Sequence, residues 1–267
     1  MSPTRVFAVV LRQYYLIRGS VSRVLPLFVW VAVDIVLWGF ITKYLNSVSA
    51  PGMNFVPVLL GAVLLWDFFN RVMHGVAMAF FEDVWSRNFL NMFATPLSIT
   101  EYLAGLVLTS VATSTVTLVL MVALAMLGFG LAFFSYGAAL VAFVAVLFLF
   151  GIALGIFGSA LVLRLGPAAE WFVWPIPAIV SPFAGVFYPL STLPLGMRVV
   201  ARLLPPAYVF ENLRAIVAGR PASGRELAIG FALAIAYVWL AGWFFTRVYR
   251  NAVRTGLIAR YSAESVS

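Results

Sequence analysis

The residues best suited to chemistry in this chain are a few ionisable side chains within long apolar runs. Asp67, Arg71 and His74 recur at i, i+4 and i+7, which puts them on one face of a helix, and Asp34 lies inside the preceding apolar run. Charges at membrane depth are costly and usually face protein or water. These four residues are therefore candidates for a polar translocation path or a proton relay. The alternative, which we favour, is a structural cluster in which Asp67 and Arg71 neutralise each other.

Most other site chemistry is excluded by the residue types present. The chain has no cysteine, one histidine and one lysine. That lysine, Lys43, stands in Thr-Lys-Tyr and not in the Gly-Lys-Ser/Thr of a phosphate-binding loop, so any ATPase must be another chain. Thiolate and multi-histidine metal sites cannot form within one chain, and no Gly-x-Ser-x-Gly elbow occurs. We expect no catalytic residue, no metal site and no cofactor bound by this chain.

The composition indicates an integral membrane protein. Of 267 residues, 64% are hydrophobic and 10% charged, against about 45–50% and about 25% in soluble domains. The formal net charge is +8, but most basic residues flank apolar runs. We therefore attribute the charge to membrane topology and expect no nucleic-acid partner.

Six segments are apolar enough to span a bilayer, which requires about 20 residues. They are approximately Val24–Thr42, Phe55–Phe80, Tyr102–Leu127, Phe133–Leu163, Trp171–Phe187 and Leu227–Tyr249, and the fifth is expected to be broken by prolines. If the N-terminus is on the inner side, most basic residues fall in the inner segments. The two short outer loops then contain a single basic residue, Lys43. Both termini are then cytoplasmic. We treat 1–267 as one membrane domain, with an N-terminal segment of residues 1–23, a six-span region 24–249 and a tail 250–267.

Two segments are predicted to be amphipathic helices on the inner side. In residues 6–17 one apolar face is formed by Phe7, Val10, Leu11, Tyr14 and Ile17. Arg5 and Arg12 lie opposite, which predicts an interfacial helix; the alternative is an extension of the first span.

The second is Glu82–Leu97, with Glu82 and Asp83 expected in its first turn and Pro96 ending it. Its apolar face comprises Trp85, Phe89, Met92 and Phe93, and Arg87 lies on the other side. We interpret this helix as a docking element for a cytoplasmic partner; the alternative is an interfacial helix that only anchors the loop.

The connection between the last two spans is rich in proline yet apolar. It is expected to contain two short helices, about 195–204 and 208–218, in a re-entrant arrangement on the outer side; the alternative is a compact outer loop. Glu211 and Arg214 are spaced as ion-pair partners. The candidate residues of this segment are Tyr188, Pro189, Pro205, Pro206, Tyr208, Glu211 and Arg214.

Small and hydroxylated residues recur at helical spacing in two spans. Gly151, Gly155 and Ser159 form a small-xxx-small row that predicts a close helix contact. Threonines recur every four residues from 109 to 117, which suits helix packing or the wall of a wet conduit.

Three stretches, in order, resemble the permease subunits of ABC-2-type exporters over nearly the whole chain. They are Asn88-Phe-Leu-Asn-Met-Phe-Ala-Thr-Pro-Leu97, Gly185-Val-Phe-Tyr-Pro-Leu-Ser-Thr-Leu-Pro194 and Leu204-Pro-Pro-Ala-Tyr-Val-Phe-Glu-Asn-Leu-Arg214. The resemblance implies an all-α membrane protein with six transmembrane helices, an N-terminal interfacial helix, a cytoplasmic coupling helix at Glu82 to Thr95, and an outer re-entrant segment.

The resemblance also implies partners and a function. The partners would be a second permease copy, as a homodimer, and two copies of a separate ABC ATPase that binds ATP and Mg. The complex would export an amphipathic substrate (a glycolipid, a lipid-linked glycan or a hydrophobic drug) from the bacterial inner membrane. Two other functions stay open: an ion-driven secondary transporter using Asp34, Asp67 and His74, and a membrane assembly subunit that does not transport.

Overall fold

The structure is a computed structural model that describes residues 1–49, 54–86, 91–92 and 95–256, without the side chains of residues 26 and 27. Within these ranges the chain is helical and contains no strand. The helices are α1 (Pro3–Arg18), α2 (Val21–Val48), α3 (Gly61–Trp85), α4 (Ile99–Phe129), α5 (Ala139–Leu165), α6 (Glu170–Val173), α7 (Ile176–Ala184), α8 (Leu195–Arg202), α9 (Pro205–Val217) and α10 (Gly224–Arg254). A π-helical turn, Val56–Leu60, leads into α3.

Five of these helices, α2, α3, α4, α5 and α10, are long and apolar enough to cross a membrane. α3 forms the centre of the bundle, with 67% of its most apolar stretch buried, against 19% for α2 and 17% for α10. α5 packs against both α3 and α10, and α4 packs against α3. The polar groups discussed below are carried mainly by α3, so they lie at the middle of the fold.

The predicted close contact of the small residues on α5 is confirmed. A Cβ atom added at Gly155 would lie 2.7 Å from the carbonyl oxygen of Met73, and one at Gly151 would lie 3.1 Å from that of Phe69. Both carbonyls belong to α3. Glycine is required at these positions because any larger residue would push the two backbones apart.

The hydroxyl groups of α4 are used for packing and for local hydrogen bonds. Ser110 donates to the carbonyl of Val72 on α3 over 3.0 Å. Thr109, Thr113 and Thr117 each donate to the carbonyl four residues earlier in their own helix. The packing interpretation is thus supported at Ser110.

The fifth predicted span, Trp171–Phe187, is broken, as its prolines indicated. A 3₁₀ turn precedes it, and the span itself is divided between α6 and α7, with Pro175, Pro177 and Pro182 within it. Proline has no N–H to donate and clashes with the preceding turn, which accounts for the break. The pieces still run beside the bundle, since Val173 contacts Gly158 of α5. The prediction of six spans is therefore untested at this segment.

The start of the fourth predicted span also differs. It was expected from Phe133, but Phe133–Tyr136 is a 3₁₀ turn and α5 begins at Ala139. Gly137, with φ of 62°, separates them because that backbone conformation interrupts a right-handed helix. The Tyr136 hydroxyl then donates to the carbonyl of Pro57, 2.6 Å away, at the beginning of α3.

The N-terminal helix α1 is present, and it packs on the bundle through a face other than the apolar face predicted to lie on the membrane. Val6, Val9 and Gln13 are buried, and Val9 lies directly over Gly105 of α4. Phe7, on the predicted apolar face, is 62% exposed. The exposed apolar face remains available for the interfacial role that was expected of it.

The C-terminal half of α2 makes an aromatic contact with α4. The Phe129 ring of α4 lies against Gly39, where a Cβ atom would overlap it. The ring of Phe40 meets it edge-on at 5.7 Å, and the Lys43 ammonium sits 5.0 Å from its centroid. Most of the remaining surface of α2 is exposed and apolar.

Both short helices expected in the outer connection are present as α8 and α9. Pro205 and Pro206 begin α9, where the lack of an N–H does no harm, and both are buried. Phe210 is fully buried and its ring meets that of Trp66 on α3 at 6.1 Å. α9 therefore reaches the core of the bundle.

Candidate functional site

The first polar cluster lies where α3 ends and α4 begins. Asp83, 1% exposed, accepts hydrogen bonds from both terminal nitrogens of Arg12 on α1, one of them at 3.0 Å. It also accepts one from the Tyr102 hydroxyl of α4 at 2.7 Å. Burial lowers the pKa of Arg12, but the hydrogen bond and the charge of Asp83 outweigh burial and raise that pKa above its ordinary value. Arg12 is therefore a cation at this position.

This placement corrects one sequence expectation. Glu82 and Asp83 were predicted in the first turn of a separate helix, but they belong to the last turn of α3, which continues to Trp85. No helix breaker separates them from the span. Acidic groups at a helix C-terminus are unfavourable to the helix dipole, and ion pairs with Arg12 and Arg23 offset this.

Two further ion pairs complete the cluster. Arg23, in the first turn of α2, pairs with Glu82 at 2.5 Å. Glu101, in the first turn of α4, pairs with Arg5 at 3.4 Å and accepts from the Ser2 amide at 2.6 Å. It also forms a capping box with Ser98. α1 and the start of α2 are thus tied to the adjoining ends of α3 and α4.

This cluster was not identified from the sequence. A detectable signal was present, since Arg5 and Arg12 are spaced two helical turns apart and three of the nine acidic residues, Glu82, Asp83 and Glu101, flank the same break between spans. What the sequence lacked was the direction in which α1 packs.

The other predicted coupling residues are only partly described. Trp85, at the end of α3, is 48% exposed, and its ring lies 6.1 Å from that of Phe81. Met92 is partly buried against the hydrophobic core. Arg87, Phe89 and Phe93 lie outside the described residues.

The second polar cluster lies at mid-membrane depth on α3. Arg71 contacts Asp67 at 2.8 Å and Asp34 of α2 at 3.6 Å. The structure thus brings together three of the four intramembrane residues singled out in the sequence. The fourth, His74, has its ring 4.8 Å from that of Trp174 in the broken fifth segment. The cluster is a carboxylate–guanidinium–carboxylate arrangement, and the His74 ring lies one turn further along α3, tilted by 31° against Trp174.

This cluster borders a cavity of about 740 Å³. The walls are both polar and aromatic, and they include Trp30, Asp67, Asn70, Arg71, Thr113 and Trp174. The side-chain oxygen of Asn70 is buried without a hydrogen-bond partner among the described residues. Such a cavity can hold a molecule with an apolar body and a few polar groups.

The outer segment is cross-linked by its polar side chains. The predicted pair of Glu211 and Arg214 is present, at 2.9 Å. Glu211 also accepts from the backbone amide of Leu190 at 2.8 Å. The hydroxyl groups of Tyr188 and Tyr208 donate to backbone carbonyls six residues earlier, each at 2.8 Å. Pro189 precedes the turn that contains Leu190. These contacts fix α8 and α9 against each other and against the turn at Leu190.

Comparison with known proteins agrees with the architecture. Residues 24–243 match a family described as ABC-2 family transporter protein. No curated protein matches the sequence. The match covers most of the chain and includes most of each of the five long apolar helices. The chain therefore belongs to the ABC-2 transporter family, and it is a multi-pass membrane permease.

Proposed function

We propose that this permease is the membrane subunit of an ATP-driven exporter. A homodimer of the chain, with two copies of a separate ABC ATPase, moves an amphipathic substrate outward across the bacterial inner membrane. Glycolipids, lipid-linked glycans and hydrophobic drugs are the candidate substrate classes. Both termini and the first polar cluster, around Asp83, then lie on the cytoplasmic side, where the ATPases act.

The observation that carries the proposal is that α3 holds both polar clusters. Asp83 and Arg71 are twelve residues apart on one helix, or about 18 Å at 1.5 Å per residue. The segment after Trp85 continues directly from α3, and Asp83 joins the end of α3 to α1 and α4. A displacement of that segment would therefore move the end of α3. Because α3 is one continuous helix, the movement would reach Asp67 and Arg71 at the cavity. α3 would thus couple ATPase closure to the substrate path.

The position of α2 supports a path between two copies. Trp30 is 61% exposed, and the side chain of Asp34 is 39% exposed although it lies inside an apolar helix. A charged group at this depth needs protein or water beside it. A second copy of the chain over this face would supply that environment and enclose the cavity. α8 and α9 would then cap the path on its outer side.

Co-purification and an ATPase assay test the proposal. The tagged protein, extracted in mild detergent, should bring with it a stoichiometric chain that carries a Walker A loop, with vanadate-sensitive hydrolysis. A single-chain preparation without ATPase in several detergents would contradict it. Transport that survives ATP depletion and stops when the proton gradient is removed would instead favour an ion-driven transporter.

A double variant tests the docking element separately. Trp85→Ala with Phe89→Ala should uncouple hydrolysis from transport while the bundle stays folded. Trp171→Ala with Phe172→Ala is the matched control, since both rings are exposed and lie in the broken fifth segment. Coupling that is unchanged in the first variant would remove Trp85 from this role.

A further inference from the structure

A second large cavity lies between the start of α4 and the last half of α10, beside the first polar cluster and away from the second. Its volume is about 880 Å³. α4 contributes Thr100 and Leu103. α10 contributes Val238, Trp239, Gly242, Trp243, Thr246, Arg247, Arg250, Asn251 and Arg254. The export proposal assigns no role to this cavity.

One end of the cavity is strongly basic. Arg247, Arg250 and Arg254 recur at i, i+3 and i+7, so they share one face of α10. None of the described lining residues is acidic, and none of the three arginines has an ion-pair partner in the described part of the chain. The carboxylate of Glu101, next to Thr100, is already held by Arg5, Ser2 and Ser98. This end therefore has three positive charges that no described acidic side chain neutralises, which makes it suited to binding an anion.

The other end of the cavity is apolar. Val238 and Trp239 line it, and Trp239 is 68% exposed. Trp239 lies eight residues before Arg247, or about 12 Å further into the membrane. Trp243 lies between these two residues in the sequence, and the centroid of its ring is 5.5 Å from the Arg247 guanidinium. A tryptophan beside arginines at this level is typical of a membrane–water interface.

We propose that this cavity binds one phospholipid with an anionic headgroup. Its phosphate lies among Arg247, Arg250 and Arg254, and the amide of Asn251 is placed to donate to the headgroup. One acyl chain follows Trp243 and Trp239 toward the bilayer centre. Basic pockets between membrane helices on the cytoplasmic side are suited to such headgroups.

The shape of the cavity favours a lipid over a soluble anion. A free phosphate would fill the arginine end alone and leave the tryptophan end unoccupied. A protein partner would contact the inner surface but would not reach Trp239, which lies at membrane depth. A molecule with an anionic head and a long apolar chain matches both ends.

The test is lipid retention by the purified, delipidated full-length protein, measured by native mass spectrometry. The probes are phosphatidylglycerol, phosphatidylcholine and glycerol 3-phosphate, which share a phosphate but differ in net charge and acyl chains. We expect one tightly held phosphatidylglycerol per chain, weak phosphatidylcholine binding and no competition from glycerol 3-phosphate. The double variant Arg247→Gln/Arg250→Gln should bind phosphatidylglycerol more weakly, by roughly fivefold for each arginine removed.

Matched controls keep the outcome decisive. Arg18→Gln/Arg225→Gln removes two exposed arginines from elsewhere and should bind phosphatidylglycerol as the parent does. Trp243→Phe should retain most of the binding, which shows that a folded pocket with one altered wall still works. Equal retention of phosphatidylglycerol and phosphatidylcholine would overturn the proposal, as would unchanged binding in the Arg247/Arg250 variant. Competition by glycerol 3-phosphate would overturn it in favour of a soluble phosphate ligand.

Discussion

Tyr102 donates its phenolic hydrogen to Asp83 over 2.7 Å, and this bond joins the end of α3 to the first turns of α4. The two residues are nineteen positions apart and enclose the segment expected to dock the ATPase. Asp83 is in turn bound by Arg12. The docking segment is therefore anchored at its base by a buried bond, so a force applied to it acts on α3 and α4 together.

Removing the phenolic hydroxyl should loosen that anchor without destroying it. Tyr102→Phe should lower the free energy of unfolding by about 1 kcal/mol, because Asp83 keeps Arg12 as its partner. The measurement is the thermal midpoint in detergent. Tyr15→Phe, at an exposed position on α1, is the control. Equal shifts in the two variants would contradict a specific role for the bond.

Removing the cation should cost more. Arg12→Gln leaves the carboxylate of Asp83 buried with Tyr102 alone, and we expect a loss of about 3 kcal/mol, as for other broken buried pairs. Arg12→Gln/Asp83→Asn should recover some of that loss. Chemical unfolding monitored by tryptophan fluorescence would measure both. The exposed control Arg18→Gln should be neutral, and a single variant no worse than this control would refute the expectation.

The contact between α3 and α5 gives a steric prediction. Gly155→Val places side-chain atoms where the Met73 carbonyl already lies 2.7 Å from a Cβ position, so unfolding free energy should fall by about 2 kcal/mol or more. Gly128→Ala, in open space, should be neutral or stabilising by up to about 1 kcal/mol. Thermal midpoints of the two variants side by side decide the matter, and a stable Gly155→Val protein would mean that the helices do not approach so closely.

Arg71 should be needed for transport more than for folding. Arg71→Gln leaves Asp34 and Asp67 facing each other without their shared cation, so the two carboxylates would repel at the cavity wall. We expect transport in proteoliposomes to fall by roughly tenfold or more, since an unpaired charge at this depth is costly. Any loss of folding yield that this repulsion causes in Arg71→Gln should be recovered by adding Asp67→Asn. Transport should not be recovered. Full transport by Arg71→Gln would return the cluster to a purely structural role.

Whether the broken fifth segment crosses the membrane can be settled by labelling this cysteine-free chain. Ala168 and Ser191 are exposed and lie on either side of that segment. Ala168→Cys should react with an impermeant thiol reagent only after permeabilisation, and Ser191→Cys should react in intact cells. Labelling of both from the same side would leave five spans and put the two termini on opposite sides.

Helix positions followed from sequence because composition and breakers determine them. The long apolar runs marked the spans, and the proline-rich connection between the last two spans indicated the short helices α8 and α9. The row of glycines on α5 likewise predicted a close contact. The C-terminal end of α3 was misjudged, because Asp83 is stabilised by Arg12, a residue seventy-one positions away in the sequence.

The polar cluster in the middle of α3 was predictable from the sequence. The cluster at the end of α3 was missed. Ionisable residues in an apolar run stand out, so Asp67, Arg71 and Asp34 were found. Arginines near the ends of membrane spans are common, so Arg12 and Arg23 did not stand out from their neighbours in the sequence as the ionisable residues within apolar runs did. Their importance depends on which side of α1 packs against α4, and that follows from the three-dimensional fit of Val9 on Gly105.

The two ends of α2 are fastened by different forces, and this gives the helix a pivot. In its C-terminal half the Phe129 ring lies against Gly39, a contact that depends on shape and does not change with salt concentration. At its N-terminal end Arg23 and Glu82, each about one-third exposed, attract through solvent that salt can screen. Rising ionic strength should therefore release the N-terminal end first, so that α2 turns about its contact with Phe129 and its N-terminal end moves away from α3.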